Sequence, residues 1–141
     1  MTDRFARPSR RPRPLAGFYV LVVDHDSEAR ELFRLVLAYY GAAVTIASTS
    51  GAALQAFQRH VPDVVLTDVM LGRAEDGMWL IREAHSSWPW VPFVAISGED
   101  VPADVLTTSG FVTYLRKPVT PGLLVNAVLG AIVHPAIPPV D

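Results

Sequence analysis

Several polar side chains stand at or just after the ends of short apolar segments, where a buried strand would finish. They are Asp24, His25, Asp26, Asp68, Ser97 and Lys117. Carboxylates that are brought together repel each other, and a divalent cation plus an ammonium group would offset that repulsion. Hard oxygen ligands suit Mg²⁺, which keeps several waters and often binds through one or two carboxylates plus a phosphate. These residue types therefore indicate a magnesium site beside a lysine.

The elements that must position these side chains alternate along the chain. Continuous apolar runs predict five strands, at 18–23, 43–47, 64–67, 91–96 and 112–115. Apolar positions at helical spacing predict five helices, at about 27–40, 50–60, 77–87, 102–108 and from 121 onward. Such alternation is typical of α/β proteins, in which helices cover both faces of a parallel sheet. We therefore expect the carboxyl ends of the strands to gather the polar groups at one edge.

Length and composition indicate one folded domain with two tails. The chain has 141 residues, half of them hydrophobic, and a net charge of −2. Five arginines lie within residues 1–17 beside a single acid, which leaves seven bases and thirteen acids in the remainder. We predict a disordered Arg/Pro-rich tail at 1–17, a folded domain at 18–134 and a Pro-rich tail at 135–141. A solvated leader explains the basic tail better than a contact with nucleic acid does.

The composition also excludes several classes of protein. Charges or prolines break every apolar run before it reaches the length of a membrane span. No apolar segment follows the N-terminal arginines, so no signal peptide is predicted. The chain has no cysteine, which excludes disulfides and thiolate metal sites. We therefore expect a cytoplasmic protein that does not bind membranes.

Five short segments together resemble the receiver domain of two-component response regulators. They are Val-Val-Asp-His-Asp at 22–26, Leu-Thr-Asp-Val-Met-Leu at 66–71, Asp-Gly at 76–77, Ala-Ile-Ser-Gly at 95–98 and Tyr-Leu-Arg-Lys-Pro at 114–118. Each segment alone is weak, but their order and spacing are specific because four separate strand ends must agree. The resemblance covers about residues 18–134. It implies a flavodoxin-like, doubly wound, five-stranded parallel sheet in the order 2-1-3-4-5 with five helices.

The resemblance implies a chemical role for the residues at the predicted edge. Asp68 would accept a phosphoryl group from a phosphohistidine on a histidine kinase or phosphotransfer protein, since a carboxylate is a competent nucleophile. Lys117, which precedes a typically cis Pro118, would pair with Asp68 and then with the phosphate. Asp24, Asp68 and the backbone carbonyl of Met70 would hold Mg²⁺.

Two further residues would transmit phosphorylation to the surface. By resemblance, Ser97 would hydrogen-bond the phosphate and Tyr114 would turn inward as Ser97 moves. Simpler interpretations of single residues exist. Tyr114 could also be a strand aromatic packed on the last helix, Asp68 a strand-end cap, and Lys117 a solvated surface lysine. The agreement of all five segments favours the receiver roles.

Position 25 departs from the family's pattern. The family usually has two adjacent acids after strand one, and the second is normally a direct metal ligand. Here Asp24 matches the first acid and His25 replaces the second. Imidazole is a poor ligand for Mg²⁺ and suits zinc, copper, iron or nickel better. His25 is therefore a doubtful ligand, we expect Mg²⁺ to bind more weakly than in a typical receiver, and Asp26 is expected to cap the next helix.

Two loops also depart from the family. The loop at 71–77 is a residue longer than usual and lacks the family's common proline. Only twenty positions separate Ser97 from Lys117, fewer than is usual in the family, so helix four is expected to be short. Because this region belongs to the face through which receivers signal, the partner or the switching is expected to be unusual.

Three hypotheses for function remain open at this point. The first is a stand-alone, non-enzymatic phosphorylation switch, at most weakly autophosphatase, that binds a downstream target or a second copy of itself. The second is a pseudo-receiver that works without phosphorylation, which His25 and the shortened fourth helix favour. The third is a flavodoxin-like cofactor binder or small enzyme that holds a phosphate at residues 48–51. That stretch follows strand two rather than strand one, and the chain has no G-x-G-x-x-G sequence.

Overall fold

Strands and helices alternate along the chain in the computed structural model, which describes residues 13–70 and 76–133. The strands are β1 (Tyr19–Val23), β2 (Ala43–Ala47), β3 (Val64–Asp68), β4 (Phe93–Ser97) and β5 (Thr113–Arg116). The helices are α1 (Ser27–Tyr39), α2 (Ser50–Arg59), α3 (Asp76–Ser87), α4 (Ala103–Ser109) and α5 (Pro121–Val133). Neighbouring strands pair in parallel, in the order β2-β1-β3-β4-β5. The predicted α/β fold, with its doubly wound flavodoxin-like order, is confirmed.

Burial on both faces explains why three strands appear in the sequence as continuous apolar runs. β3 and β4 are buried along their whole length, and β1 at four of its five positions. Alternate residues of a strand point to opposite faces. Leu21 and Phe93 pack with α2, α3 and α4, whereas Val22 and Val94 pack with α1 and α5. Each large apolar side chain contributes about 1.5–3 kcal/mol on full burial, so the two cores hold the strand ends firmly in place.

β4 begins two residues later than its apolar run predicted. The Val91 N–H donates to the Trp88 carbonyl at 3.2 Å, within the turn that follows α3. Pro92 has no N–H to donate to a neighbouring strand. Both residues are buried but belong to the connection, and β4 ends at Ser97.

Residues 13–17, which composition assigned to the disordered tail, are described by the structure and pack on the domain. Leu15 is fully buried in the core beside α1, and its N–H donates to the Tyr40 carbonyl at 3.0 Å. Gly17 adopts a positive φ of 86° in the turn that leads to β1. The predicted tail is therefore wrong for residues 13–17, because one leucine anchors a segment of arginine and proline. Residues 1–12 and 134–141, which hold the rest of both predicted tails, lie outside the described residues.

The lengths of the helices agree with those predicted from the spacing of apolar residues. α4 has seven residues and ends at Gly110, whose φ of 106° lies in the left-handed region that glycine tolerates. α1 and α5 have 13 residues each. Within residues 13–70 and 76–133, no helix has the length and apolar character needed to cross a membrane.

α3 approaches the carboxyl end of β3 so closely that glycine is required at position 77. A Cβ built on Gly77 would lie 2.5 Å from the Asp68 carbonyl oxygen and 2.8 Å from the Val69 Cα. The Gly77 N–H donates to the Val69 carbonyl at 3.0 Å, which ties the first turn of α3 to the strand end. Because backbone atoms cannot move aside as a flexible side chain would, a larger residue would displace either α3 or the segment that carries Asp68.

Gly77→Ala is expected to lower the free energy of unfolding by about 1–3 kcal/mol, because the added methyl group overpacks against backbone atoms. Gly130→Ala is the matched control: a Cβ there meets nothing within 4 Å, and alanine is favoured over glycine inside a helix by about 1 kcal/mol. Urea denaturation of both variants measures the difference. Equal stability of the two variants would contradict the close approach of α3 to β3.

Candidate functional site

Three charged side chains meet at the carboxyl edge of the sheet. Asp24 follows β1, Asp68 is the last residue of β3, and Lys117 follows β5. Lys117 Nζ lies 2.8 Å from Asp24 Oδ2 and 3.1 Å from Asp68 Oδ2. β1 and β3 are adjacent at the point where the strand order reverses, which is where open α/β sheets bind ligands. The structure thus brings these three residues together as the sequence predicted.

Backbone N–H groups orient the two carboxylates. Asp68 Oδ1 accepts a hydrogen bond from the Met70 N–H at 2.9 Å, and Asp24 Oδ1 accepts one from the Asp26 N–H at 2.9 Å. In both residues this leaves Oδ2 as the oxygen that contacts Lys117. Met70 therefore supports the site through its N–H, and a role for its carbonyl as a metal ligand stays a prediction.

Burial raises the free-energy cost of the charges on Asp24, Asp68 and Lys117. Asp24 and Asp68 are only 1% and 5% exposed. Lys117 donates a hydrogen bond to Asp68 Oδ2. Its contact with Asp24 Oδ2 is an ion pair without hydrogen-bond geometry, so that buried oxygen accepts no hydrogen bond from the described residues. Two carboxylates against one ammonium leave a net charge of −1, which favours the binding of a further cation.

Lys117 is the only lysine in the sequence, and its surroundings keep it protonated. Burial by itself would lower the Lys117 pKa, but the contacts with Asp24 and Asp68 outweigh burial and raise it above its ordinary value of 10.5. The Lys117 N–H donates to the Ser97 carbonyl at 2.8 Å, which ties the Lys117 backbone to the end of β4. The following peptide bond, Lys117–Pro118, is cis as the resemblance implied.

Ser97 is fully buried at the end of β4. β3 and β4 are paired so that Asp68 stands opposite Ile96, one residue before Ser97. The Ser97 hydroxyl oxygen accepts a hydrogen bond from the Glu99 N–H at 3.0 Å. The serine thus shapes the turn after β4 in this state, and its predicted contact with a phosphoryl group stays a prediction.

Tyr114 is hydrogen-bonded to the loop after β4. Its hydroxyl donates to the Glu99 carbonyl at 3.0 Å. Its ring packs against the core on the α4 side, rather than on the last helix as one interpretation of the sequence had it. A cavity of about 180 Å³ lies beside it, lined by residues of α4 and β5 that include Leu106 and Phe111.

Arg116 adds further contacts to the same loop. Its guanidinium donates to the Gly98 carbonyl at 3.3 Å and forms an ion pair with Asp100. Arg116 and Tyr114 are two residues apart on β5, so both side chains leave the same face of the strand. β5 therefore holds residues 98–100 directly and carries Lys117 at its end.

His25 and Asp26 have different positions relative to the site. Asp26 caps α1, since its side chain accepts a hydrogen bond from the Glu28 N–H at 3.0 Å, as predicted. His25 is exposed, yet a ring nitrogen and one carboxylate oxygen each from Asp24 and Asp68 lie within 4.8 Å of one another. The two carboxylates and the net negative charge fit a divalent cation. The histidine, a doubtful ligand by sequence, is placed within reach of the same ion.

Arg30 supports the site and was missed by sequence reasoning. Its guanidinium donates to the backbone carbonyl of Asp24 at 2.7 Å, from the first turn of α1. This bond fixes the backbone between β1 and α1, and with it the direction of the Asp24 carboxylate. The position of Arg30 one turn after a helix cap could have indicated this role in the sequence. An arginine at such a position is, however, equally common on an exposed helix face.

Comparisons with known proteins agree with this geometry. The family model described as response regulator receiver domain matches residues 20–129. An uncharacterized 14.6 kDa protein of Leptolyngbya boryana is 35% identical over 126 residues, covering 81% of this chain and 89% of that protein. The probable transcriptional regulatory protein TcrX of Mycobacterium tuberculosis is 33% identical over 101 residues, covering 70% of this chain. This chain spans only 43% of TcrX.

Solved structures give the same result. A response regulator receiver domain protein from Clostridium thermocellum superimposes with a TM-score of 0.75 at 30% sequence identity. The match covers 82% of this chain and 94% of that one. A CheY-like receiver domain protein from Methanospirillum hungatei has a TM-score of 0.76 at 24% identity, which supports the fold.

The chain belongs to the response regulator receiver domain family of two-component systems. Receivers are signalling domains that are generally phosphorylated, bind Mg²⁺ at an acidic pocket and interact with histidine kinases or phosphotransfer proteins. The resemblance found in the sequence is confirmed, and the family match favours it over the hypothesis of a flavodoxin-like cofactor binder. The roles of the individual residues stay predictions.

We expect the Lys117 side chain to titrate above pH 10.5 in the folded protein, because Asp24 and Asp68 stabilise its charged form. With a single lysine, ¹³C-lysine labelling gives one Cε resonance, whose pH dependence NMR follows. The folded pKa exceeds the unfolded one, so this contribution to stability is complete below the unfolded pKa and disappears as pH rises through the folded value.

Asp24→Asn is expected to lower the titration midpoint of Lys117, since one of its two carboxylate partners is neutralised. Asp100→Asn is the matched control, because Asp100 pairs with Arg116 on the surface and does not contact Lys117. A wild-type midpoint at or below 10.5, or an unchanged midpoint in Asp24→Asn, would contradict the ion pairs at the sheet edge.

Proposed function

We propose that this receiver accepts a phosphoryl group on Asp68 from a histidine kinase or phosphotransfer protein and then signals by binding another protein. The observation that supports this most is the position of the Lys117 ammonium, 3.1 Å from Asp68 Oδ2 and 2.8 Å from Asp24 Oδ2. Asp68 is the carboxylate at the strand end that α3 approaches, and its Oδ1 is oriented by the Met70 N–H. A nucleophile held between an oriented backbone and an ammonium suits phosphoryl transfer, which depends mainly on positioning and charge neutralisation.

The transfer is a displacement at phosphorus. An oxygen of Asp68 forms the new P–O bond, the P–N bond of the donor phosphohistidine breaks, and its electron pair stays on the imidazole nitrogen. The product is an acyl phosphate on Asp68. Lys117 offsets the negative charge of the phosphoryl oxygens, because its contact with Asp68 places its ammonium beside them. A Mg²⁺ ion held by Asp24 and Asp68, with the Met70 carbonyl, would offset the remaining charge when bound.

The charges at the site support this chemistry. Asp24 and Lys117 balance each other, and a phosphoryl group on Asp68 brings about two negative charges. One divalent cation would therefore make the phosphorylated site neutral. An acid at position 25 would leave an additional negative charge, so His25 lowers the attraction for the cation in the unphosphorylated state.

The loop at residues 98–100 is the proposed output of phosphorylation. Ser97 accepts a hydrogen bond from the Glu99 N–H, and a phosphoryl group on Asp68 would offer its hydroxyl a strong acceptor. Movement of Ser97 would shift Glu99, whose carbonyl now accepts from the Tyr114 hydroxyl. Tyr114 would then turn inward, toward the cavity that adjoins it. The surface formed by α4, β5 and α5 would bind a downstream target or a second copy of the chain.

We also propose that the protein acts as a stand-alone receiver in the cytoplasm, without an enzymatic output beyond weak autophosphatase activity. The Leptolyngbya relative supports this proposal, because this chain matches 89% of a protein of only 14.6 kDa. Histidine kinases and phosphotransfer proteins act on receivers inside the cell, which supports the location.

Incubation of the purified protein with acetyl phosphate is expected to add the mass of one phosphoryl group, because Asp68 is the oriented nucleophile. Intact-mass spectrometry measures the addition. Asp68→Asn is expected to show none, whereas the control Asp26→Asn keeps it, since Asp26 caps α1 and lies outside the charged group. Transfer from a phosphorylated kinase should likewise add mass to wild type and to Asp26→Asn, but not to Asp68→Asn.

The pseudo-receiver that needs no phosphate is the second candidate, and His25 is the observation that favours it. If wild-type protein gains no mass from acetyl phosphate or from a kinase, while its circular dichroism shows a folded chain, this second candidate replaces the first. Addition of mass to both wild type and Asp68→Asn would place the acceptor elsewhere.

His25→Asp is expected to tighten Mg²⁺ binding by about tenfold or more, since a hard carboxylate replaces an imidazole and makes the site more negative. Isothermal titration with Mg²⁺ compares the variant with wild type. His60→Asn is the matched control, because His60 stacks on Tyr19 at the opposite end of β1. Equal Mg²⁺ affinity of wild type and His25→Asp would show that position 25 does not weaken the site.

A further inference from the structure

The position of His25 suggests a different metal preference for this receiver. A ring nitrogen of His25 and one carboxylate oxygen from each of Asp24 and Asp68 lie within 4.8 Å of one another. That spread allows a single ion to contact all three atoms. The residue therefore stands where it adds an imidazole to two carboxylates, rather than pointing away from them.

The backbone on both sides of His25 is held in place. Asp24 before it is buried, its carbonyl accepts from Arg30, and its carboxylate accepts from the Asp26 N–H. Asp26 after it caps α1 through the Glu28 N–H. A histidine between two anchored residues has little backbone freedom, so the ring reaches the carboxylates without a change in the loop.

The carboxylates have room for an ion in addition to Lys117. Asp24 Oδ2 is buried and accepts no hydrogen bond from the described residues, although the ammonium lies 2.8 Å away. Each carboxylate oxygen has two lone pairs, so contact with the ammonium leaves capacity for a cation. A buried acceptor that lacks a hydrogen bond is an observation independent of the histidine, and it points to the same place.

The chemistry of this donor set differs from that of a magnesium site. Mg²⁺ requires hard oxygen ligands in octahedral geometry, whereas imidazole suits divalent first-row transition metals. For a site with mixed nitrogen and oxygen donors, affinity rises from Mn²⁺ through Co²⁺ and Ni²⁺, and Zn²⁺ is also bound well. Two carboxylates and one imidazole leave positions open for water or phosphate oxygens.

We propose that this site binds a divalent first-row transition-metal ion in preference to Mg²⁺, with His25 as a direct ligand beside Asp24 and Asp68. The inference rests on the proposed phospho-acceptor function for the use of the metal but not for its binding. Where such an ion is present, phosphorylation of Asp68 depends on it rather than on Mg²⁺.

Pulsed electron paramagnetic resonance of the untagged protein with Mn²⁺ tests the ligand directly. The expected result is a nitrogen coupling from a bound imidazole. The coupling should be absent in His25→Ala and in His25→Asp, and present in the control His60→Asn. A manganese signal without nitrogen coupling in wild type, or one that persists in His25→Ala, would overturn the proposal.

Competition titrations measure the preference. Wild type is expected to bind Mn²⁺ and Zn²⁺ more tightly than Mg²⁺, and His25→Asp to reduce that preference by about tenfold or more, since a direct ligand contributes at least as much as its supporting residues. Equal affinities of wild type for Mn²⁺, Zn²⁺ and Mg²⁺ would overturn the proposal. Thermal unfolding of each variant checks that it is folded.

The two proposals fail separately in this design. Nitrogen coupling with no mass gain from acetyl phosphate under any metal supports the metal site and refutes the phospho-acceptor function. Mass gain with Mg²⁺ and no nitrogen coupling supports the phospho-acceptor function and refutes the transition-metal site.

Discussion

Two carboxylates lie almost fully buried beside each other at the carboxyl edge of the sheet, and the rest of the site depends on offsetting their charge. The only ammonium side chain that the sequence offers, Lys117, contacts both of them. One positive charge is not enough for two negative ones, so the site keeps a net attraction for cations. In a partly desolvated place this attraction is stronger than it would be on the surface. The chemistry of the domain follows from this imbalance.

The fold maintains the imbalance because each charge is attached to a different, rigid strand. β1 and β3 are central strands buried on both faces, and their ends cannot separate to relieve the repulsion. Backbone N–H groups from Asp26 and Met70 orient the carboxylates, and Arg30 fixes the segment after β1. Gly77 lets α3 pack directly on the end of β3. The packing of the two hydrophobic cores therefore keeps the charged groups close together.

β5 connects this charged group to the surface of the protein. Lys117 follows its last residue, while Tyr114 and Arg116 hold the loop that begins after Ser97. In the proposed function, a change of charge at Asp68 would reach β5 through Lys117 and the loop at residues 98–100 through Ser97. Because α4 has only seven residues and ends at Gly110, the element next to this loop has few contacts that resist its movement.

Apolar runs and helical spacing were enough to predict the α/β class and the gathering of polar groups at one edge, because such runs record burial on both faces and parallel strands bring their carboxyl ends to one side. The strand order was predicted from the resemblance of five short segments to the receiver family. The sequence placed Leu15 in a tail, since the composition around this residue is that of a tail while its burial depends on α1. It also could not show Arg30 as a support for Asp24, nor the distance from His25 to the carboxylates. Those facts depend on how a helix and a loop pack in space, which residue types and spacing do not record.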